Sequence, residues 1–346
     1  TLSMLPKSFI GTSLSVWMKT ETFFQGEKSI EGLSKNSGEK FCIIQAWFFD
    51  HACIFVIIIK RKFVLGCIMK HTDSLAPFLK WVGGKRQLVP ALSTLFPESY
   101  TTYCEPFLGG GAMLFALQPE KAIVNDVNGE LINVYKVVRD CVDELIDALK
   151  KHVNTYEHFQ VVRGLDRDAV KYASLSDAEK AARIIYLNKT CFNGLYRVNK
   201  KGQFNVPFGL YKNPKILDEP LLRAVSFYLN NNHVFIFNEE YTSVLNKLPE
   251  GSFVYLDPPY DPVSDTSNFT SYAKDGFGKE EQIRLRDACV SLDERGIQFM
   301  LSNSATPFIM ELYSNFDLQI VRANRFVNAN ASGRGKVDEV VVRNYV

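Results

Sequence analysis

The segment Gly251-Ser252-Phe253-Val254-Tyr255-Leu256-Asp257-Pro258-Pro259-Tyr260 decides the fold of this chain. Its apolar run up to residue 256 is typical of a buried strand. The strand would end on a carboxylate, followed by two prolines and an aromatic ring. Open α/β sheets bind ligands just outside the carboxyl ends of their strands. The segment therefore predicts an α/β fold with a polar site at that edge.

The side chains after this strand suit a planar base that carries an exocyclic amino group. The Asp257 carboxylate can accept one N–H of such a group and the Pro258 carbonyl the other, because proline keeps a free acceptor. These acceptors oppose delocalisation of the nitrogen lone pair, and Tyr260 would stack on the base. The nitrogen would then attack an electrophilic methyl group mainly through positioning and electrostatics. The alternative is a plain strand followed by a Pro-Pro turn.

A second motif lies upstream, in Tyr103-Cys104-Glu105-Pro106-Phe107-Leu108-Gly109-Gly110-Gly111-Ala112. It predicts a strand, a glycine turn and a helix over residues 113–118, with backbone N–H groups available to a ligand. A dinucleotide fingerprint would need glycine where Leu114 stands. A P-loop around residues 84–85 would need glycine at position 79, which is Leu79, and Ser or Thr at position 86, which is Arg86. Both motifs are therefore absent.

Two further segments offer ligand contacts. Lys121 to Asp126 reads as a short strand ending on an acid, where α/β enzymes hold a ribose; a solvent-facing Asp that begins a turn is the alternative. In Phe78-Leu79-Lys80-Trp81-Val82-Gly83-Gly84-Lys85-Arg86, Trp81 would cover an adenine and Lys85 would meet a carboxylate. Taken singly, Trp81 suits core packing and Lys85 a solvated surface.

About 145 residues separate the glycine turn from Asp257, which is long enough for an inserted module. Residues 183–217 hold seven Lys or Arg, six Phe or Tyr, and no Asp or Glu, in a chain of net charge +2. Basic residues among aromatics favour nucleic acid. Residues 197–206 predict a hairpin for the major groove, where Arg197 would bind guanine at about 1–3 kcal/mol of discrimination. A solvated basic face is the alternative.

From about Pro77 to Tyr345 the chain resembles the Dam and DpnII-type adenine-N6 DNA methyltransferases, the GATC-recognising D12 class of the alpha group. The resemblance rests on strings that occur in the family's order: Lys80-Trp81-Val82-Gly83-Gly84-Lys85, Glu105-Pro106-Phe107-Leu108-Gly109-Gly110-Gly111, Phe192-Asn193-Gly194-Leu195-Tyr196-Arg197, Phe204-Asn205-Val206-Pro207-Phe208-Gly209, Asp257-Pro258-Pro259-Tyr260 and Leu301-Ser302-Asn303. It implies methyl transfer from S-adenosylmethionine, without a metal, to an adenine extruded from duplex DNA.

The resemblance also assigns residues. It places catalysis on Asp257, Pro258, Pro259 and Tyr260. It places the methyl donor against Trp81, Lys85, Glu105, Phe107, Gly109, Gly111, Asp126 and Asp257. It places DNA against Lys80, Phe192, Asn193, Leu195, Arg197 and, in the loop 266–272, Phe269. The family often has Tyr at the position of Phe192, so this chain loses a hydroxyl there and keeps the stacking ring.

The expected architecture is a Rossmann-like α/β methyltransferase sheet with an inserted helical and hairpin DNA-recognition domain. Residues 69–135 and 238–346 would form the catalytic domain, and residues 136–237 the recognition insert. A helix over 279–295, strands over 297–301 and 338–342, and a polar loop over 328–336 complete the prediction.

Residues 1–68 resemble nothing in that family. Residues 41–59 are nearly all apolar, but Asp50 and His51 interrupt them, and Asp is costly inside a bilayer. The first interpretation is upstream sequence read in frame before a start at Met69, the second a poorly packed appendage, and the third a membrane anchor.

Seven cysteines without disulfide or metal-site spacing indicate a reducing, cytoplasmic setting, and no metal is expected. The expected partner is double-stranded DNA containing GATC, with no stable membrane partner, bound by a monomer or weak dimer. Whether a cognate restriction endonuclease shares the system stays open. Two other classes also stay open: an RNA or protein methyltransferase on the same fold, and a non-catalytic DNA-binding module.

Overall fold

The chain divides into two units in this computed structural model, residues 1–74 and residues 75–346. The structure describes residues 16–20, 28–34, 40–49, 52–56, 75–262, 277–324 and 336–345. Each unit has a β-sheet of its own. The predicted loop 266–272 with Phe269, and most of the predicted loop 328–336, lie outside the described residues.

The first unit contains an antiparallel sheet in which neighbours along the chain are neighbours in the sheet. Its strands are β1 Val16–Thr20, β2 Lys28–Ser34, β3 Lys40–Phe49 and β4 Ala52–Val56. Within the apolar run 41–59, the described residues form β3 and β4, which pair with Phe49 opposite Ala52. Among the described residues, no helix is long and apolar enough to cross a bilayer.

The second unit is built on a seven-stranded sheet of described residues, in the order β10-β11-β9-β8-β5-β6-β7. Its strands are β5 Thr102–Glu105, β6 Lys121–Asn125, β7 His233–Phe237, β8 Ser252–Leu256, β9 Gln298–Ser304, β10 Asp317–Asn324 and β11 Lys336–Arg343. Strands β5 to β9 pair in parallel, and β11 pairs antiparallel with both β9 and β10.

The second unit also contains α-helices. They are α1 Val89–Ser93, α2 Ala112–Leu117, α3 Gly129–Asp140, α4 Val142–Lys150, α5 Tyr156–Gly164, α6 Ala169–Ala173, α7 Asp177–Thr190, α8 Glu219–Asn231, α9 Tyr241–Asn246, α10 Lys279–Glu294 and α11 Pro307–Leu312. The helices predicted over 113–118 and 279–295 correspond to α2 and α10.

Strand β8 is buried along its whole length because both of its faces are covered. Phe253 and Tyr255 face a core that includes side chains of α3, α4, α7 and α8. Val254 and Leu256 face a second core with side chains of α9, α10 and α11. This two-sided burial explains why residues 253–256 form an unbroken apolar run, as expected for a central parallel strand. The predicted α/β fold is confirmed in these terms.

The strand order changes direction beside β5. The chain passes from β5 to β6 on one side, and later returns to place β8 on the other side of β5. In open α/β sheets the crevice outside the carboxyl ends at such a point is the preferred ligand site. Residues 105, 126 and 257 follow or end the three strands concerned, so the fold brings them to one edge.

The structure differs from the predicted domain boundaries at two places. Strand β7 lies within the predicted insert 136–237, yet it pairs with β6 in the main sheet. The boundary at residue 135 falls inside α3, which packs into the core of the same sheet. A separate small core outside the sheet layers consists of Phe159, Val162, Tyr186, Leu187, Cys191, Phe204 and Val206.

Candidate active site and nucleic-acid interface

Asp257 and Lys85 form a close ion pair at the end of β8. Lys85 Nζ lies 2.9 Å from Asp257 Oδ1 and also donates to the Gly83 carbonyl at 2.9 Å. The Lys85 side chain is only 5% exposed. Burial raises the pKa of Asp257, and the neighbouring ammonium group opposes that rise. Lys85 is therefore a partner of the predicted catalytic carboxylate rather than a solvated surface charge.

Tyr260 lies in the same cluster. Its ring centroid is 4.4 Å from Lys85 Nζ, and its hydroxyl donates to Glu339 Oε2 at 2.8 Å. Glu339 belongs to β11, so an antiparallel strand holds the outer end of the ring while the ammonium group lies over its face. Glu339 was not predicted, since it lies 79 residues from Tyr260 in the chain.

Glu105, at the end of β5, is buried, and one oxygen of its carboxyl group accepts two hydrogen bonds. Glu105 Oε2 accepts hydrogen bonds from the Tyr103 hydroxyl at 2.9 Å and from the Leu114 N–H at 3.2 Å. Burial raises its pKa to about 8, and the nearby Asp257 and Asp126 charges add to the rise. The raised pKa favours the protonated form of Glu105 more than in an ordinary glutamate.

The glycine turn approaches Asp126 through its backbone. The Gly109 N–H donates to Asp126 Oδ2 at 3.0 Å, and the Asn128 N–H donates to Oδ1 at 2.9 Å. Gly109 has a φ of 50° and Gly111 a φ of 68°, a region that favours glycine. A Cβ on Gly111 would lie 2.7 Å from the Tyr135 hydroxyl oxygen. The turn therefore requires glycine at this position. Burial raises the pKa of Asp126.

Aromatic rings lie beside the same strand ends. Trp81 stacks on Tyr196 with ring centroids 5.1 Å apart, and its indole lies against Gly109. Phe107 contacts the rings of Tyr241 and Phe277, at centroid distances of 5.1 and 5.9 Å. The predicted donor-site residues Trp81, Lys85, Glu105, Phe107, Gly109, Gly111, Asp126 and Asp257 thus all lie around the ends of β5, β6 and β8.

The side chain of Asn188 in α7 joins Lys80 to the segment that contains Phe192 and Asn193. The buried Asn188 side chain accepts from the Lys80 N–H at 2.9 Å and donates to the Lys80 carbonyl at 2.7 Å. It also donates to the Gly194 carbonyl at 2.9 Å. Residues 192–194 form a short 3₁₀ turn against Lys80. Asn188 was not predicted, and it joins two segments 108 residues apart.

The side chains on this surface are largely exposed. Phe192 is 51% exposed, and Asn193 is exposed with a left-handed φ of 57°. Arg197 is exposed and donates from Nε to Asn205 Oδ1 at 2.7 Å across the predicted hairpin, which turns at Gly202 and pairs Val198 with Phe204. Leu195 is half-buried beside the small core. Phe269 lies outside the described residues. No group of three or more metal-ligating residues occurs within the described ranges.

Residues 81–327 match the model of a family described as D12 class N6 adenine-specific DNA methyltransferase. The chain belongs to this family. The predicted resemblance is therefore confirmed, and the chain is an adenine-specific DNA methyltransferase with DNA as its substrate. Membership implies S-adenosylmethionine as the methyl donor.

Curated relatives match about four fifths of the chain. Type II methyltransferase M1.LlaDCHI of Lactococcus lactis subsp. cremoris is 47% identical over 283 residues, which are 81% of this chain and 99% of the relative. Type II methyltransferase M.MjaIII of Methanocaldococcus jannaschii is 41% identical over 289 residues, which are 78% of this chain and 99% of that relative. DNA adenine methylase of Escherichia coli K12 is 32% identical over 271 residues, which are 76% of this chain and 93% of that relative.

Proposed function

We propose that this enzyme methylates the adenine of GATC in duplex DNA, and that Asp257, Pro258, Pro259 and Tyr260 carry the reaction. The observation that supports this best is the Asp257 carboxylate at the switch point of the sheet, fixed by Lys85 and next to the Tyr260 ring. The GATC assignment is supported by the quoted family strings and by relatives named DNA adenine methylases.

The residues around the crevice fit S-adenosylmethionine by charge. Glu105, Asp126 and Asp257 all have raised pKa values, and Lys85 is the cation bonded to one of them. A ligand that carries positive charge would stabilise the ionised carboxylates. When bound, S-adenosylmethionine supplies an electrophilic methyl group on a sulfonium centre. We assign its binding to Trp81, Lys85, Glu105, Phe107, Gly109, Gly111, Asp126 and Asp257.

The reacting amino group would be held by two acceptors. Asp257 accepts one N–H of the adenine and the Pro258 carbonyl accepts the other, while Tyr260 stacks on the extruded base. The N6 lone pair then forms the new C–N bond as the bond between the methyl carbon and sulfur breaks. Solvent takes the surplus proton from N6. The protein contributes orientation and a fixed electrostatic environment, which account for large parts of enzymatic rate enhancements.

The DNA would lie on the surface formed by Lys80, Phe192, Asn193, Leu195 and Arg197, with Phe269 beside the extruded base. Phe192 is suited to enter the base stack because half of its side chain is free of protein contacts. Arg197 is suited to read guanine because its guanidinium is exposed at a hairpin. Extrusion of the adenine costs a few kcal/mol of unstacking, which these contacts would offset.

A methylation assay tests the proposal. The purified enzyme is incubated with labelled methyl donor and three duplexes: one containing GATC, one with that site scrambled, and one with GATC in which adenine is already N6-methylated on both strands. We expect label only in the first duplex, and mapping should place it on adenine N6. Equal labelling of the scrambled duplex would contradict the GATC assignment, and labelling of RNA or protein in its place would contradict the substrate class.

A further inference from the structure

A chain of buried side-chain amides lies beneath the Asp257–Tyr260 turn. Gln282, in the first turns of α10, is fully buried, and its Nε2 donates to the Pro259 carbonyl at 2.9 Å. Its Oε1 accepts from Asn303 Nδ2 at 3.0 Å. Asn303, in β9, is also fully buried. The turn after β8 is therefore held from a helix and from the neighbouring strand.

The donors and acceptors of these two side-chain amides can be assigned in only one way. Asn303 Oδ1 accepts from two backbone donors, the N–H of Asp261 at 3.0 Å and the N–H of Ser304 at 2.8 Å. Its oxygen must therefore face them, and its Nδ2 must face Gln282. Gln282 then has to present Oε1 to Asn303, which leaves its Nε2 as the donor to Pro259.

Asp261, the residue after the turn, is bonded to the end of β9 and to the N-cap residue of α11. The Ser304 hydroxyl donates to the Asp261 carbonyl at 2.7 Å, and the Thr306 hydroxyl donates to Asp261 Oδ2 at 2.7 Å. All of these groups are buried. Because both prolines lack an N–H, the turn offers few bonds of its own, and these side chains supply its anchors.

The two proline carbonyls differ in their partners. The Pro259 carbonyl accepts from Gln282, whereas no hydrogen bond between described residues ends on the Pro258 carbonyl. A carbonyl that accepts a proton of the substrate amino group has to be both correctly directed and free. The amide chain serves the first requirement, because it fixes the peptide plane that follows Pro258, and among the described residues no donor competes for the Pro258 carbonyl.

We propose that Gln282 is a positioning residue for methyl transfer, which holds the Pro259 carbonyl and thereby keeps the Pro258 carbonyl directed at the adenine amino group. This inference rests on the proposed function. A purely structural role would stabilise the fold without a specific effect on the chemical step. The two roles differ in what an isosteric change of donor to acceptor would do.

Gln282→Glu makes that change. An ionised carboxylate has no proton to donate, and it would repel the Pro259 carbonyl, so the turn would shift. We expect kcat at pH 8 to fall on the order of 10²-fold, the size expected for a small misplacement of reacting groups. The KM values for DNA and methyl donor should stay within about twofold. The control is Gln319→Glu, the same change at an exposed position of β10, which should match the wild type.

A pH profile separates positioning from general destabilisation. At lower pH the new carboxyl becomes protonated and regains a donor for Pro259, so the ratio of variant to wild-type kcat should rise as pH falls from about 8 to 6. Asn303→Asp should show the same recovery, because its protonated form can again donate to Gln282. Equal kcat in Gln282→Glu and the wild type, or a loss that follows unfolding and shows no recovery, overturns the inference.

Asp257→Ala, assayed in parallel, distinguishes a failure of the role inferred for Gln282 from a failure of the proposed function. If Asp257→Ala is inactive and Gln282→Glu equals the wild type, only the role of Gln282 is refuted. If Asp257→Ala methylates DNA at the wild-type rate, the proposed catalytic turn itself is refuted.

Discussion

The ends of β5, β6 and β8 and the surface around Phe192 form two contrasting parts of this enzyme. At the strand ends, Glu105 and Lys85 are 2% and 5% exposed and have fixed hydrogen-bonding or ion-pair partners. On the surface, Phe192 is half exposed and Arg197 is exposed and hydrogen-bonded to Asn205 of its own hairpin. The first region is held by contacts within the protein, and the second presents exposed side chains to solvent.

This contrast has a physical reason. Electrostatic stabilisation is strongest where water is excluded and dipoles need not reorganise. Recognition of a duplex requires side chains that can reach a groove or a base step, and such side chains cannot be buried in the free protein. We therefore expect substitutions at the strand ends to change rate and pH dependence, and substitutions on the surface to change specificity.

The sharpest test of this division is Asp257→Ala. We expect methylation to fall by about 10³-fold or more, since removal of one preorganised group costs 10²–10³-fold in comparable sites. DNA affinity should stay within about twofold, because Asp257 lies in the crevice and not on the exposed surface. Methylation rate and DNA binding are measured on the same preparation, with Asp287→Ala on the exposed side of α10 as the control. Residual turnover within about tenfold of the wild type would break the comparison.

The second test uses the buried acid Glu105 and the stability of the ligand-free protein. Its pKa is about 8 in the folded state and about 4.5 ordinarily, so between these pH values the folded state binds more protons than the unfolded state. The free energy of unfolding should therefore fall as pH rises from about 4.5 to 8. Glu105→Gln should make that fall shallower by an amount on the order of a few kcal/mol, as measured by chemical denaturation at several pH values. If the free energy of unfolding depends on pH in the same way in Glu105→Gln and the wild type, the raised pKa of Glu105 is contradicted.

The third test addresses the surface through Arg197→Ala. Discrimination at one guanine should drop by about 1–3 kcal/mol, the usual contribution of a bidentate contact. Binding is compared across duplexes that differ from GATC at single positions. Lys200→Ala, on the same hairpin, is the control and should weaken binding equally at all sites if it contacts phosphate. Uniform weakening by Arg197→Ala would reassign this residue to the backbone.

The smallest effect is expected for the stability of Phe192→Ala. Its ring is half exposed, so the free energy of unfolding should change by no more than about 0.5 kcal/mol. Base extrusion should still decrease, as seen by a lower signal from a fluorescent adenine analogue at the target position. Phe227→Ala, which removes an exposed ring from α8, should change neither quantity. A large loss of stability in Phe192→Ala would show that the ring serves the fold.

The sequence predicted the strand ends and their acids because both signals are local. A run such as residues 253–256 is apolar because the strand is covered on both faces, and the carboxylate that follows is adjacent in the chain. The glycine turn was equally accessible, since its backbone needs positive φ at Gly109 and Gly111.

Contacts between distant segments could not be predicted in this way. Glu339 lies 79 residues from Tyr260, and Gln282 meets Pro259 only because α10 packs beside the turn. The boundary of the insert was misplaced at β7, an edge strand whose exposed and buried residues alternate and whose pairing with β6 has no local signal. Packing of the whole unit decides these arrangements.

The hydrogen bonds of Asn188 to the main-chain N–H and C=O of Lys80 affect how the sequence specificity could be redesigned. A chimera that takes residues 183–217 from a relative would carry a new Asn188 environment into contact with the old Lys80 loop, whose Lys85 lies only five residues further on. A graft is therefore expected to disturb catalysis unless residues 78–85 are transplanted with it.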